Sequence, residues 1–479
     1  MRVALVQCPS WGRESPPFAL ALLSAYLKKQ NHKVFVFDVN NSLYHECSSG
    51  YKNKWDEGEY NFWENQQEID DFCNKNLKLL EAQAENILKS GASVVCFSVQ
   101  QSSVKVTMKL AEIIKRKNKN AIIILGGPQC ARWKSAEGLI KEPNVDAVVI
   151  GEGDVALPEL IKTIVKKGRL DNCPGILYKK AGKIIDCGNR EAIKVLDNVP
   201  FADFSGFKLE SYKYPEKLEV FSSRGCVNRC AFCSERQFWG KYRFMSGKRI
   251  FDEIKFQLKN NKKLKTIRFN DSTLNGNIKE LSTMCSYIIK SGINVNWYGQ
   301  AIIRAGMSKE LLKKMKKAGC THLSYGMESG SFEVLQKMNK KFTIETARQV
   351  IRGTHEAGID VGLNFMFGLP GETDENFRET LDFVKINRKY IDSISPNRSF
   401  CVIETITDLY NSPKHFGIEE PIHHLFWKSE DGKNNYPARL ERYEKLCKFA
   451  VDLGIGDKNT LLTEKDKKYL LEEYSKNEN

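Results

Sequence analysis

Short apolar runs alternate with helical patterns along most of this chain, and that alternation leaves few folds open. In the first third the runs are Val3–Gln7, Val34–Asp38, Ser93–Val99, Ala121–Leu125 and Ala147–Ile150. The helical patterns between them fall at Phe18–Lys29, Ile69–Lys89, Val104–Arg116 and Ala156–Lys167. Strands that are apolar on both faces need cover on both, as in a parallel sheet flanked by helices. Residues 1–170 are therefore expected to form a doubly wound α/β domain, with ligands meeting the carboxyl ends of its strands.

Residues 171–215 are rich in Gly, Pro and Asp, with short extended pieces such as Pro174-Gly175-Ile176-Leu177-Tyr178, and read as a linker. A second αβ series fills residues 216–407. Its strands are expected at Leu218–Ser222, Thr266–Asn270, Asn294–Tyr298, His322–Gly326, Val361–Phe367 and Ser393–Pro396. Six βα units make a partial (β/α)6, TIM-like barrel whose function sits at the C-terminal ends of the strands. Residues 408–479 form a polar, helical C-terminal region, with the tail Ser475–Asn479 expected to be disordered.

A length of 479 residues suggests about three domains. No run of eighteen apolar residues offers a membrane span, and the strand-like start Met1–Gln7 has no secretory cleavage site after it. With 14 cysteines, such a chain is expected in a reducing compartment, the cytoplasm, where thiols stay free or bind metal. The net charge of +15 raises the question of a nucleic-acid partner. The lysine-rich runs Lys115–Lys119, Lys259–Lys265 and Lys313–Lys317 are scattered at or near helix ends, with acids between them. They read as a solvated surface, and no nucleic-acid partner is expected.

After the strand at Leu218–Ser222 comes Cys226-Val227-Asn228-Arg229-Cys230-Ala231-Phe232-Cys233, a C-x3-C-x2-C spacing. Three thiolates this close can converge on one metal centre. A four-iron cluster normally takes four cysteines, so three leave one iron open, the mark of a catalytic rather than a structural metal. A zinc knuckle would favour C-x2-C pairs with a second ligand pair downstream. None follows here, and the cluster reading ranks above zinc, with chance below both.

With Phe232 before the third cysteine, this loop resembles that of the radical S-adenosylmethionine superfamily. The resemblance implies a 4Fe–4S cluster on Cys226, Cys230 and Cys233, with S-adenosylmethionine chelated by the open iron. It further implies reductive cleavage to a 5′-deoxyadenosyl radical, sensitivity to oxygen and an external electron donor of the flavodoxin or ferredoxin type. Other strand ends are similar to the family's. Asp271, in Asn270-Asp271-Ser272-Thr273, stands where the family meets the methionine amino group. Glu328 and Ser329 stand in Gly326-Met327-Glu328-Ser329-Gly330, like the G-x-E-S segment whose glutamate contacts the ribose. A carboxylate accepting two hydrogen bonds suits a diol. Gly368 and Pro370, in Gly368-Leu369-Pro370-Gly371-Glu372-Thr373, match a turn near the adenine. Arg304, after the third strand, would hold a carboxylate of substrate or methionine. Trp239-Gly240-Lys241-Tyr242-Arg243 also matches. Cys401–Tyr410 departs from the P-x-P-G-T-x-L-Y pattern of many relatives. Trp427–Arg442 reads as a capping element, with plain packing the preferred account.

The first domain resembles the Rossmann-like cobalamin-binding domain that precedes this barrel in one branch. The matching stretches are Pro16-Pro17, Ser98-Val99-Gln100, Gly126-Gly127-Pro128-Gln129 and Gly151-Glu152-Gly153. The resemblance places Pro16, Ser98, Gln100, Gly126, Gly127, Pro128, Gln129, Gly151 and Glu152 around cobalamin, with Gly126 and Gly127 giving the macrocycle close approach. The D-x-H-x-x-G motif is absent, so no histidine lower ligand is expected. The implied function is a cobalamin-dependent methyltransferase. It would move methyl from methylcobalamin to a carbon or phosphorus centre of a small molecule or lipid. Rivals are a non-methylating oxidation, cyclisation or rearrangement enzyme, a methylthiotransferase, and a non-catalytic iron–sulfur protein. The methylthiotransferase would need Cys8, Cys47 and Cys73 as a second ligand set, and their surroundings do not match that family.

Overall fold

The computed structural model describes residues 1–56, 59–397 and 400–478. The chain divides into two compact units, one holding Met1–Lys194 and Asn198–Val220, the other most of Phe221–Asn479.

In the first unit, β1 (Arg2–Gln7), β2 (Lys33–Asp38), β3 (Val94–Ser98), β4 (Ile122–Gly126) and β5 (Ala147–Val149) run parallel. The sheet order is β2-β1-β3-β4-β5, continued by β6 (Ile176–Lys180) and β7 (Lys183–Asp186). Successive residues of a strand point to opposite faces, and both faces are dry. Ala4, Val6, Val95, Phe97, Ile123 and Leu125 pack in one core. Val3, Leu5, Val94, Cys96 and Ile124 pack in the other. The order reverses between β1 and β3, the switch point at which doubly wound sheets take ligands.

The strands and the helix Phe18–Lys29 fall where the pattern predicts. Two segments differ. The helix expected over Ile69–Lys89 is two helices, Gln66–Lys75 and Leu77–Lys89, broken at Asn76, whose side chain donates to Phe72 O at 2.8 Å. The stretch read as linker holds β6 and β7, which pair antiparallel to β5 and to each other. Ile176, Leu177 and Tyr178 are buried. Ala181 and Gly182 both have positive φ, as a two-residue hairpin turn requires. A three-residue apolar run among Gly, Pro and Asp conceals a hairpin that a longer run would have announced.

The first unit also holds β8 (Lys217–Val220). In the second unit come the short antiparallel pair β9 (Ser223–Arg224) and β10 (Arg243–Phe244), then β11 (Thr266–Phe269), β12 (Asn296–Ala301), β13 (Cys320–Glu328), β14 (Asp360–Phe365) and β15 (Ser393–Pro396). Its strands lie in the order β15-β14-β13-β12-β11, and β11 to β15 are parallel. Neighbours in sequence are neighbours in space, as in a barrel wall wound in one direction. Side-chain caps restart the helices behind the strands: Asn277 accepts from Glu280 N, Ser308 from Leu311 N, and Thr373 forms a capping box with Asn376.

The C-terminal region ends in the helices Tyr436–Asp452 and Glu464–Glu478. The tail expected to be disordered is thus helical to Glu478, and Asn479 lies outside the described residues. Among the described residues no helix is long and apolar enough to cross a membrane.

Candidate active site

The cysteine loop leaves β9 at the carboxyl end of the second sheet. Ten of the chain's cysteines are buried, whereas Cys226, Cys230 and Cys233 are partly exposed, as is Cys187 in the first unit. Cys226 Sγ accepts from Thr273 Oγ1 at 2.9 Å and from Asn228 N at 3.4 Å. Burial raises the Cys230 thiol and pushes Cys233 up to about 12. Such a thiol becomes a thiolate when a cation coordinates it. Among the described residues no three His, Cys, Asp or Glu side chains converge as a single-ion site requires. A cubane takes its thiolates at separate corners, farther apart than one ion does, and the loop's donor set fits it. The loop is gripped from both sides. Ala231 N donates to Met338 O at 3.0 Å, Leu409 N to Ala231 O at 3.2 Å, and Asn339 Nδ2 to Arg229 O at 2.6 Å.

Glu328 ends β13 with φ +66°, just past a break in register between Gly326 and Glu328. A bulge of this kind re-aims a side chain, and a positive φ in a non-glycine residue is strain of the sort found at functional sites. The carboxylate turns back, so that Oε1 lies 3.1 Å from Lys340 Nζ. A Cβ on Gly326 would sit 2.7 Å from that oxygen and would displace it. Lys340 also donates to Gly326 O at 3.1 Å, and its Nζ lies 5.7 Å from the Phe232 ring centroid. Burial opposes its charge, but Glu328 and then Cys230 favour it, and the ammonium ends above the usual lysine range. Phe232, Glu328 and the cysteine loop are thus brought together, with Lys340 among them.

The other residues assigned to S-adenosylmethionine are engaged within the chain. Asp271 is buried, and its carboxylate accepts from Ser222 N at 3.0 Å, Ser222 Oγ at 3.0 Å and Ser223 Oγ at 2.5 Å. Burial pushes it up to about 6, against those hydrogen bonds. It fixes the root of the cysteine loop rather than standing free at the strand end. Arg304 donates to the carbonyls of Asn275 and Gly276 at 3.1 and 3.0 Å. Ser329 is buried against Thr380, Oγ to Oγ1 3.2 Å. Gly368, at φ +72°, makes room for Arg439, since a Cβ there would lie 2.1 Å from Arg439 Cδ. Pro370 lines a surface cleft with Ala231, Lys337, Asp408 and His415.

Sequence reasoning passed over Lys340, and it placed Arg439 and Arg442 in the capping segment without their partners. Arg439 is wholly buried, lies 4.1 Å over the Trp427 ring, and donates to Leu425 O and Trp427 O at 2.8 and 3.0 Å. Glu372 accepts from Gly368 N at 2.7 Å and Arg442 Nη1 at 3.0 Å, while Arg442 Nη2 reaches Asp374 at 2.9 Å. The helix Tyr436–Asp452 is thereby pinned to the turn after β14, the packing account expected for this segment. The readable signal is two arginines three apart, flanked by Leu440 and Tyr443.

In the first unit, the residues assigned to cobalamin stand at the ends of β3 and β4 and in the loops after β3, β4 and β5, with Pro16 in the loop after β1. Gly127 stands at φ +103°. A Cβ there would lie 2.7 Å from Val99 O and 2.9 Å from Val99 N. Val99 N donates to Gly126 O at 2.7 Å and Gln129 N to Val99 O at 3.1 Å, sealing the two loops together. The Gly126 position meets Val149 Cβ at 3.8 Å. Gln100 donates to Ser10 O, Gln129 to Ser135 Oγ at 2.6 Å, and Glu152 accepts from Ile193 N at 3.3 Å. Ser98 and Pro16 are half-buried and buried. Exposed Pro128 and Gly151, with open space around the latter, leave this edge free for a flat ring, and the site fits in that respect. His32 precedes β2 at the opposite edge, and His45 Nε2 is engaged with Ser211 O at 2.7 Å.

A family model for the radical SAM superfamily matches residues 220–384, and one for the B12 binding domain matches residues 65–161. An uncharacterized methyltransferase of Pyrococcus horikoshii is 28% identical over 307 residues, 63% of this chain and 66% of its own length. An anaerobic magnesium-protoporphyrin IX monomethyl ester cyclase of Rubrivivax gelatinosus is 30% identical, over 56% of this chain and 50% of its own. The chain therefore spans about half to two thirds of the length of these curated relatives. Among solved structures, the radical S-adenosylmethionine methyltransferase TsrM of Kitasatospora setae, with cobalamin and a [4Fe-4S] cluster bound, aligns at TM-score 0.67 and 15% identity. That alignment covers 94% of this chain and 88% of the other, a likeness of fold.

Proposed function

This chain belongs to the cobalamin-dependent radical S-adenosylmethionine family, and we propose that within it the chain is a methyltransferase acting on a carbon or phosphorus centre. One observation carries the reading: a single chain holds a loop of three accessible thiols beside Glu328 and a B12 binding domain. The methyltransferase relative supports it. The reading assigns Cys226, Cys230 and Cys233 to the cluster, Glu328 to the ribose of S-adenosylmethionine, and the loops after β3, β4 and β5 to cobalamin. Bound there, the cluster would supply reductive cleavage of S-adenosylmethionine, and the cobalamin a transferable methyl group. The chain's own part is positional. Asp271 and Thr273 fix the root of the cysteine loop, and Met338, Asn339 and Leu409 hold its far side. The substrate is a small molecule or lipid, the reductant an external flavodoxin or ferredoxin type protein, and the setting the cytoplasm.

The cyclase relative, at 30% identity, favours a second reading in which the radical leads to oxidation or cyclisation without methylation. Anaerobic reconstitution with iron, sulfide and hydroxocobalamin, followed by gel filtration, tests the class. Protein that emerges without corrin would overturn it. Incubation with substrate, S-adenosylmethionine and a reductant separates the two chemistries. Methylation gives a product heavier by one methylene unit together with S-adenosylhomocysteine. Deoxyadenosine with an unmethylated product selects the second reading.

A further inference from the structure

The second unit keeps one ammonium almost out of water, beneath the cysteine loop. The side chain of Lys340 is 7% exposed, and that of its partner Glu328 16%. Its Nζ lies 3.1 Å from Glu328 Oε1 and 3.1 Å from Gly326 O. Phe232, whose ring centroid is 5.7 Å away, stands between Cys230 and Cys233. The two preceding residues are bonded to the same loop, Met338 through Ala231 N and Asn339 through Arg229 O, which roots Lys340 beside it. Removing a charge from water is costly unless it is paired. Here one carboxylate partner serves a site where three thiolates would gather. Lysine on a surface would be tolerated anywhere, whereas this one follows two residues bonded to the cysteine loop and is paired with Glu328.

We propose that Lys340 is a positioning residue that gives the cluster loop a fixed counter-charge while holding Glu328 in place. The inference rests on the reading of Cys226, Cys230 and Cys233 as cluster ligands. One-electron reduction of the cluster by an external donor adds one negative charge to the site. A buried ammonium stabilises that added charge, and the Glu328 carboxylate opposes it, because charges act strongly across a low-dielectric interior. Potentials of such clusters follow the local charge and hydrogen bonding.

The test is the midpoint potential of the reconstituted cluster, followed by electron paramagnetic resonance during a mediated dithionite titration without S-adenosylmethionine. Wild type is compared with Lys340→Met, Lys340→Arg and Glu328→Gln, each at measured iron and sulfide content. Lys340→Met should lower the potential, Lys340→Arg should return it near wild type, and Glu328→Gln should raise it. A role confined to packing would not produce opposite signs from the two halves of one ion pair. If Lys340→Met does not fold, the upward shift in Glu328→Gln still decides, and an unchanged or lowered potential there overturns the proposal. Wild type that takes up no cluster iron overturns the cluster reading itself, and this inference with it. Loaded proteins with equal potentials overturn Lys340 alone.

Discussion

A Cβ placed on Gly368 would lie 2.1 Å from the Cδ of Arg439: the turn after β14 and the C-terminal helix fill the same space only because one of them has no side chain. Arg439 cannot yield, being wholly buried over the Trp427 ring. Gly368→Ala should therefore destabilise the second unit. A left-handed φ for alanine costs roughly 1–2 kcal/mol, and overpacking adds roughly 1–3 kcal/mol. Urea denaturation of the metal-free protein would measure it. The double variant Gly368→Ala/Arg439→Ala should lose less than the sum of the singles, because the clash is removed with the arginine. Additive losses would mean that the two residues do not compete for space.

Replacing Cys226, Cys230 and Cys233 together by alanine should abolish cluster iron and reductive cleavage of S-adenosylmethionine. Buried Cys130 of the first unit serves as control, and Cys130→Ala should keep its full iron content. Iron and acid-labile sulfide assays on anaerobic preparations read both. Iron retained in the triple variant would remove the loop from the site.

Glu328 and Asp271 should separate two kinds of defect. Glu328→Ala should weaken S-adenosylmethionine binding at least about tenfold. Each hydrogen bond to a charged group contributes about 1.5–3 kcal/mol, and ~1.4 kcal/mol is one decade of affinity. Its cluster spectrum should stay intact. Asp271→Ala removes the acceptor for Ser222 N, Ser222 Oγ and Ser223 Oγ, so it should lower the fraction of protein that takes up iron. The fraction that loads should bind the cofactor with near-normal affinity. Calorimetric titration of fully loaded samples distinguishes the two, and a normal affinity in Glu328→Ala would leave that residue a turn.

What the sequence made legible was local. The C-x3-C-x2-C spacing lies in one loop, and Glu328 is found because its glycine stands two residues before it. The alternation of apolar runs gives both sheets because the burial pattern of a strand is written along the strand itself. What stayed hidden was contact across the chain. Asp271 answers to Ser222 and Ser223, 49 and 48 residues away, and Gly368 to a helix near the C-terminus. Both were assigned to ligand on motif resemblance, which says nothing of partners across the chain. Lys340 looked like any surface lysine, since nothing in Met338-Asn339-Lys340-Lys341 says which of the two lysines turns inward. The contact of Gly127 with Val99 was hidden in the same way, since it joins two loops far apart in sequence.

Asp38 offers a pH signature in the first unit that is independent of any metal. It ends β2 half-buried, with its carboxylate accepting from Tyr212 OH at 2.5 Å and Asn41 N at 2.8 Å. Burial pushes its pKa from 3.8 up to about 6, the hydrogen bonds notwithstanding. A carboxyl raised in the folded state binds its proton more tightly than in the unfolded chain. Its contribution is therefore fully present below about pH 4 and is lost as pH rises through about 6. At 1.36 kcal/mol per pKa unit the loss is on the order of 2–3 kcal/mol. Asp38→Asn, isosteric with the protonated acid and still able to accept from Asn41 N, should match wild type in stability near pH 4 and exceed it at pH 7.5. Urea unfolding of the metal-free protein at the two values, followed by a first-unit probe such as the fluorescence of buried Trp63, measures the difference. A variant less stable than wild type at pH 7.5 would show that the ionised carboxylate, held by Tyr212 and Asn41, stabilises the fold instead.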